Sequence, residues 1–234
     1  MIEWIAFDGD DTLWQNEVYY QRAQHALTRI LGATAAAEEV HQALYATEMR
    51  NLPLYGYGIK SFTLSMVETA IKLTGGTVPG KTVWVIMELG RAMLRADLDL
   101  MDGAQETVDC LAQRYRLMLV TKGDLLDQQR KLDRSGLGAY FAAVEVVSDK
   151  TAGTYRRLVE QYGTSPPALV MVGNSLRSDV LPVLEMGANA VYVPHDLTWD
   201  HERVDNTDPH RDGYYEIEAL RDLPALLERL DRPD

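Results

Sequence analysis

The run Ile2-Glu3-Trp4-Ile5-Ala6-Phe7 stops abruptly at Asp8-Gly9-Asp10-Asp11-Thr12-Leu13-Trp14, and no other feature limits the fold as much. An almost continuous apolar run of strand length suits a strand covered on both faces, which is the environment of a parallel sheet. Three carboxylates crowded at its end repel one another, and a fold keeps them together only where a cation or a chemical task offsets the repulsion. An isolated Asp-x-Asp pair is equally at home in a solvated acidic turn. The rest of the chain has to answer the aspartates before they acquire a meaning.

The pattern after the first strand is helical. Tyr19, Ala23, Ala26, Leu27 and Ile30 recur at three- and four-residue spacing and stop at Gly32, and similar segments follow near 37–50, 59–74 and 82–95. Breaks at Gly75-Gly76 and Pro79-Gly80 separate them, and strand candidates are missing as far as residue 97. Beyond Asp102-Gly103 the elements alternate: helix 104–114, strand 117–120, helix 124–135, strand 143–147, helix 151–162, strand 168–172, helix 177–186, strand 190–193 and a last helix over 216–230. Such alternation predicts a doubly wound α/β core with a Rossmann-like parallel sheet. Residues 1–14 and 101–234 form that core, and 15–100 form an inserted all-helical domain.

Open parallel sheets bind ligands at the carboxyl ends of their strands, so chemistry is expected in the residues just past each strand. Strand 117–120 is followed by Thr121-Lys122-Gly123-Asp124, strand 143–147 by Ser148-Asp149-Lys150, and strand 168–172 by Gly173-Asn174-Ser175-Leu176-Arg177-Ser178-Asp179. A hydroxyl, an ammonium and an oxygen-rich loop therefore converge on the aspartates. Taken singly, Thr121 suits a helix cap, Lys150 a surface position and Gly173-Asn174-Ser175 a plain turn.

Four stations in this order resemble the haloacid dehalogenase-like hydrolase superfamily: Asp-x-Asp-x-Thr, then Thr or Ser, then Lys, then Gly-Asp-x-x-x-x-Asp. The helical insert directly after the first station resembles that family's cap. The resemblance implies a phosphatase that hydrolyses a small phosphorylated metabolite through an aspartyl-phosphate. It makes Asp8 the nucleophile and Asp10 the acid that protonates the leaving oxygen and later activates water. Thr121 and the amides near Gly9 and Asp10 hold the phosphoryl oxygens, and Lys150 neutralises Asp8 and the phosphate. Mg2+ is the implied cofactor, held by Asp8, the Asp10 carbonyl and the fourth loop. That loop departs from the pattern, with Asn174 where aspartate is usual, so Asn174 is the expected ligand and Asp179 either stands behind it or approaches the metal directly.

Dehalogenases lack a carboxylate two residues after the nucleophile, so Asp10 points to phosphoryl transfer. A phosphomutase or a phosphonate hydrolase on the same scaffold is the enzymatic alternative, the latter needing a cap lysine such as Lys60, Lys72 or Lys81. A receiver-like phospho-signalling module and a silent binding protein are alternatives of another class; the receiver places its aspartate after a middle strand, whereas here the first strand carries the pair.

Substrate choice falls to the insert, where Tyr55-Gly56-Tyr57-Gly58-Ile59-Lys60 stands out. The glycines permit unusual backbone angles, and Tyr57 and Lys60, together with Tyr19, Lys122 and Gly9, are candidate substrate contacts. His195, His201 and His210 among Asp196, Asp200 and Asp205 fit no compact metal-binding spacing and read as a polar loop.

A formal charge of −12, from 35 acidic and 23 basic residues with no basic block, argues against nucleic acid as a partner. No apolar segment approaches the length of a membrane span, so no membrane partner is expected and the cytoplasm is the expected location. The single cysteine, Cys110, reads as a core residue. Oligomeric state has no signature in the sequence.

Overall fold

A computed structural model describes residues 1–202, 204 and 211–231. The chain divides into two compact units: 1–17, 98–122 and 129–234 form the first, and 18–97 with 123–128 form the second. The short stretch 123–128 groups with the helices of the second unit.

Among the described residues the first unit is built on six parallel strands, β1 (Trp4–Phe7), β2 (Arg116–Lys122), β3 (Phe141–Val147), β4 (Leu169–Gly173), β5 (Asn189–Tyr192) and β6 (Tyr214–Glu216), in the order β3-β2-β1-β4-β5-β6. β1 lies inside the sheet, with Trp4 to Phe7 in register with Arg116 to Leu119 on one side and Leu169 to Val172 on the other. The winding direction reverses at this strand, which opens a crevice beyond its carboxyl end.

Alternate residues of each strand feed opposite faces. Ile5, Phe7, Leu117, Leu119, Val170, Val172 and Val191 pack with α5 (Ala104–Ala112) and α9 (Leu223–Leu230). Trp4, Ala6, Met118, Val120, Leu169, Met171 and Ala190 pack on the other face with α7 (Ala152–Gln161) and α8 (Leu181–Glu185). The α/β class with a doubly wound parallel sheet is therefore as expected.

Three local readings need correction. The segment 216–230 is not one helix: Tyr214–Glu216 is a strand parallel to β5, and α9 begins only at Leu223. Three residues are too few to show a period of two, so aromatic β-propensity was the only signal. Cys110 is exposed, because α5 buries Ala104, Thr107, Val108 and Leu111 and position 110 falls on the opposite side of that stripe. The expected helix 177–186 opens instead as a π-helical turn, Leu176–Val180, in which the Leu181 N–H reaches the Leu176 carbonyl five residues back. Pro182 follows within the first residues of α8 and has no N–H for the Ser178 carbonyl, which instead accepts from the Tyr155 hydroxyl at 3.0 Å.

In the second unit, α1 (Glu17–Leu31), α2 (Ala37–Tyr55), α3 (Ile59–Leu73) and α4 (Gly80–Arg95) bury Ala23, Leu27, Leu31, Val40, Leu44, Ile59, Phe62, Met66 and Ile86 against one another. Gly90 lets α4 approach α3, since a Cβ there would overlap the Thr63 side chain. The Tyr19 hydroxyl donates to the Asp97 carbonyl at 2.8 Å and so ties the two ends of the insert together.

Candidate active site

The first loop is shaped by backbone chemistry before any catalysis enters. The Gly9 carbonyl accepts the N–H groups of Leu13 at 2.8 Å and Trp14 at 3.2 Å, folding residues 9–14 into a tight turn directly past β1. Gly9 itself is required by its neighbour, because a Cβ there would stand 2.6 Å from the buried Trp14 ring. Asp11 takes the left-handed conformation, φ 59°, which a short polar side chain tolerates best among non-glycine residues. Its carboxylate accepts the N–H groups of Asn16 at 2.9 Å and Glu17 at 3.0 Å, the first donors of α1. Burial pushes the Asp11 carboxyl up to about 6, against those hydrogen bonds.

Asp8 is 7% exposed, and its carboxylate faces two ways. Oδ1 accepts from Lys150 Nζ at 2.5 Å, while Oδ2 lies 3.5 Å from the Thr12 hydroxyl. Lys150, delivered by the loop after β3, also donates to Asp179 Oδ1 at 2.7 Å and is 4% exposed. Burial works against its charge, but the two carboxylates prevail and hold the proton on well above the ordinary lysine range. Burial pushes Asp8 the other way, up to about 7, with Asp179 and Asp10 adding repulsion and Lys150 opposing it. Asp179 is fixed on its second oxygen by the Ser175 N–H at 3.0 Å, and Gly173 makes room for it, since a Cβ would overlap the carboxylate.

Asn174 stands on the other side of Asp8. Its backbone N–H donates to Thr12 Oγ1 at 3.1 Å. One end of its side-chain amide lies 3.2 Å from Asp8 Oδ2, 3.2 Å from the Asp10 carbonyl oxygen and 3.3 Å from Thr12 Oγ1. Turned with the amino group inward, the amide donates to those acceptors. Turned with the oxygen inward, it joins Asp8 Oδ2 and the Asp10 carbonyl as a third hard oxygen donor and accepts from the Thr12 hydroxyl at 3.3 Å. Neighbouring ligands around an octahedral magnesium ion at about 2.1 Å are about 3.0 Å apart, so this spacing fits such an ion. Asp179, engaged by Lys150 and Ser175, is turned to a different set of partners. Among the described residues no group of three His, Cys, Asp or Glu could hold a metal, so the oxygen cluster depends on the amide and the carbonyl.

Asp10 is held by residues that had no assigned role. Its Oδ1 accepts from the Trp14 indole N–H at 2.7 Å and from Lys131 Nζ at 2.8 Å, and the same ammonium donates to Asn16 Oδ1 at 2.8 Å. Lys131 lies on α6 (Leu125–Ser135). Thr121, at the end of β2 and 1% exposed, has its hydroxyl 3.3 Å from the Lys122 carbonyl.

The ammonium of Lys122, a candidate substrate contact, donates to Glu202 Oε1 at 2.6 Å and Ser178 Oγ at 2.8 Å. Glu202 Oε2 accepts from Ser175 and Ser178 as well. Burial disfavours its charge, but Lys122 and the two hydroxyls overcome that and hold the Glu202 carboxyl at about 2. Lys60 in the helical unit lies 2.9 Å from both oxygens of Asp124. Tyr57 is half-buried between Gly56 and Gly58, whose φ values of 70° and 110° supply the unusual backbone angles the sequence suggests. His195 Nδ1 lies 2.7 Å from the Leu197 carbonyl, and Arg177 donates to the His201 carbonyl. Asp205 and His210 lie outside the described residues.

Comparison with known proteins adds a second line of observation. The family model for haloacid dehalogenase-like hydrolases matches residues 2–187. A solved haloacid dehalogenase-like family hydrolase from Xanthomonas campestris is 39% identical, with a TM-score of 0.88 over 98% of this chain and 92% of that one. Among curated proteins, the glyceraldehyde 3-phosphate phosphatase of Methanothermobacter thermautotrophicus is 24% identical over 85% of this chain and 88% of its own length. The human N-acylneuraminate-9-phosphatase is 26% identical over 76% and 72%.

Proposed function

The chain belongs to the haloacid dehalogenase-like hydrolase family, and we propose from that premise that it is a magnesium-dependent phosphatase of a small phosphorylated metabolite, working through an aspartyl-phosphate. The observation that carries the reading is the division of labour across Asp8. One of its oxygens meets Lys150 and the other joins Asn174 and the Asp10 carbonyl, with a second carboxylate following at Asp10.

Asp8, the Asp10 carbonyl and Asn174 would hold the magnesium ion, which when bound supplies positive charge to the phosphoryl oxygens. Asp8 Oδ1 attacks phosphorus; the new P–O bond forms as the bond to the leaving oxygen breaks, and that oxygen takes a proton from Asp10. Lys150 neutralises Asp8 and the incoming phosphate, and Thr121 with the backbone amides of the first loop receives the phosphoryl oxygens. Asp10 then takes a proton from water, which attacks phosphorus and releases Asp8 and inorganic phosphate.

The helical unit acts as the cap that reads the organic part of the substrate. Lys60, one of three lysines in the insert that the phosphonate hydrolase alternative could use, pairs with Asp124. Two curated relatives bear the names of phosphatases of phosphorylated sugars and sugar acids, so a substrate screen starts with such compounds. Purified protein with magnesium is expected to release phosphate from one or more members of a phosphometabolite panel, and Asp8→Asn to release none. Turnover that survives the substitution, or that runs undiminished in excess chelator, would overturn the reading.

A further inference from the structure

We propose that Lys131, acting with Trp14, is a positioning residue for proton transfer by Asp10. The proposal rests on the phosphatase reading and extends it to residues outside the four sequence stations.

The argument begins with how many donors converge on one atom. Asp10 Oδ1 accepts from the Trp14 indole at 2.7 Å and from the Lys131 ammonium at 2.8 Å. An oxygen that already accepts two hydrogen bonds, one from a cation, is poorly placed to bear a proton. A proton carried by Asp10 therefore belongs on Oδ2. Trp14 is fully buried, with its ring lying against Gly9, so its N–H is a fixed point. Lys131 is anchored a second time at Asn16 Oδ1, 2.8 Å away, and its side chain is only 13% exposed. Two donors from different directions define both the rotation of the carboxylate and which oxygen delivers the proton. In the transfer step the proton passes from Asp10 Oδ2 to the leaving oxygen as the phosphorus–oxygen bond breaks, and the charge left on Asp10 faces an ammonium already in place.

Lys131 sits on α6 and reaches the site through Asp10 and Asn16. The consequence is selective. A poor leaving group needs the proton, while a good one departs as a stable anion without it.

The test compares kcat/KM for an alkyl phosphate ester the enzyme accepts with that for 2,4-dinitrophenyl phosphate, in wild type, Lys131→Met, Lys131→Arg and Asp10→Asn. Because kcat/KM ends at the first irreversible step, later hydrolysis of the intermediate does not mask the comparison. Lys131→Met is expected to lose about 10- to 100-fold on the alkyl ester and less than about 3-fold on the dinitrophenyl ester, the pattern of Asp10→Asn in weaker form. Lys131→Arg, which keeps a charged donor, is expected to recover most of the loss. Equal losses on both esters, or no loss on either, would overturn the positioning role while leaving the phosphatase reading intact. A wild-type enzyme that cleaves neither ester nor any phosphometabolite would overturn both.

Discussion

Gly9 and Trp14 show how a single missing methyl group can matter in the loop that follows β1. Gly9→Ala places a Cβ 2.6 Å from a buried indole that has nowhere to retreat. The variant is expected to lose about 1–3 kcal/mol of stability, read as a lower denaturant midpoint with an unchanged slope, and to lose turnover as Trp14 shifts away from Asp10. At this scale the sequence is legible where chemistry follows a strand directly. Asp8, Thr121, Lys150, Asn174 and Asp179 come at or after the ends of successive strands in the order of the family's four stations, so order and spacing together expose them. Lys131 and Glu202 carry no such mark. Each becomes meaningful only when folding brings it to a carboxylate or an ammonium distant in sequence, and the same holds for Lys122, whose partner Glu202 lies on the segment after β5.

Elements show a related division between pattern and packing. The helices of the insert announce themselves through periodicity, and the strands of the core through apolar runs, because both are long enough to repeat. β6 and the π-helical turn do not. One is three residues long, and the other depends on a proline whose missing N–H widens the turn before it. Asp11 is an element-scale device as well, since its carboxylate satisfies the first backbone donors of α1 from a left-handed position. Asp11→Ala removes the acceptor while keeping a Cβ in that conformation, and is expected to cost about 1–2 kcal/mol. Thermal unfolding checks it, and recovery of part of the loss in Asp11→Gly would separate backbone strain from the lost hydrogen bonds.

Across the whole molecule, buried charge sets how stability responds to pH. Glu48, on α2, has its carboxyl pushed up to about 8 by burial, from 4.5. An acid whose folded value exceeds its unfolded one contributes stability that is fully present below the unfolded value and is lost as pH rises through the folded one. The protein is therefore expected to lose stability between about pH 5 and pH 8 through this group. Glu48→Gln should flatten that slope and raise the melting temperature most at pH 8, by about 2–4 °C for each kcal/mol recovered. A variant that melts with the wild-type slope would exclude Glu48 as its source.

The strand that carries Asp8 is made before its pairing partners and bonded late. β1 lies between β2 and β4, and its pairing partners, Arg116 to Leu119 and Leu169 to Val172, emerge only after the whole insert has been synthesised. Until then Trp4 to Phe7 is an apolar segment with two unpaired edges, the kind of surface that invites association with other chains. The helices of the insert rely on contacts close in sequence and can form while that strand waits. For a growing chain, the centre of the sheet is thus a debt incurred at residue 4 and discharged near residue 172.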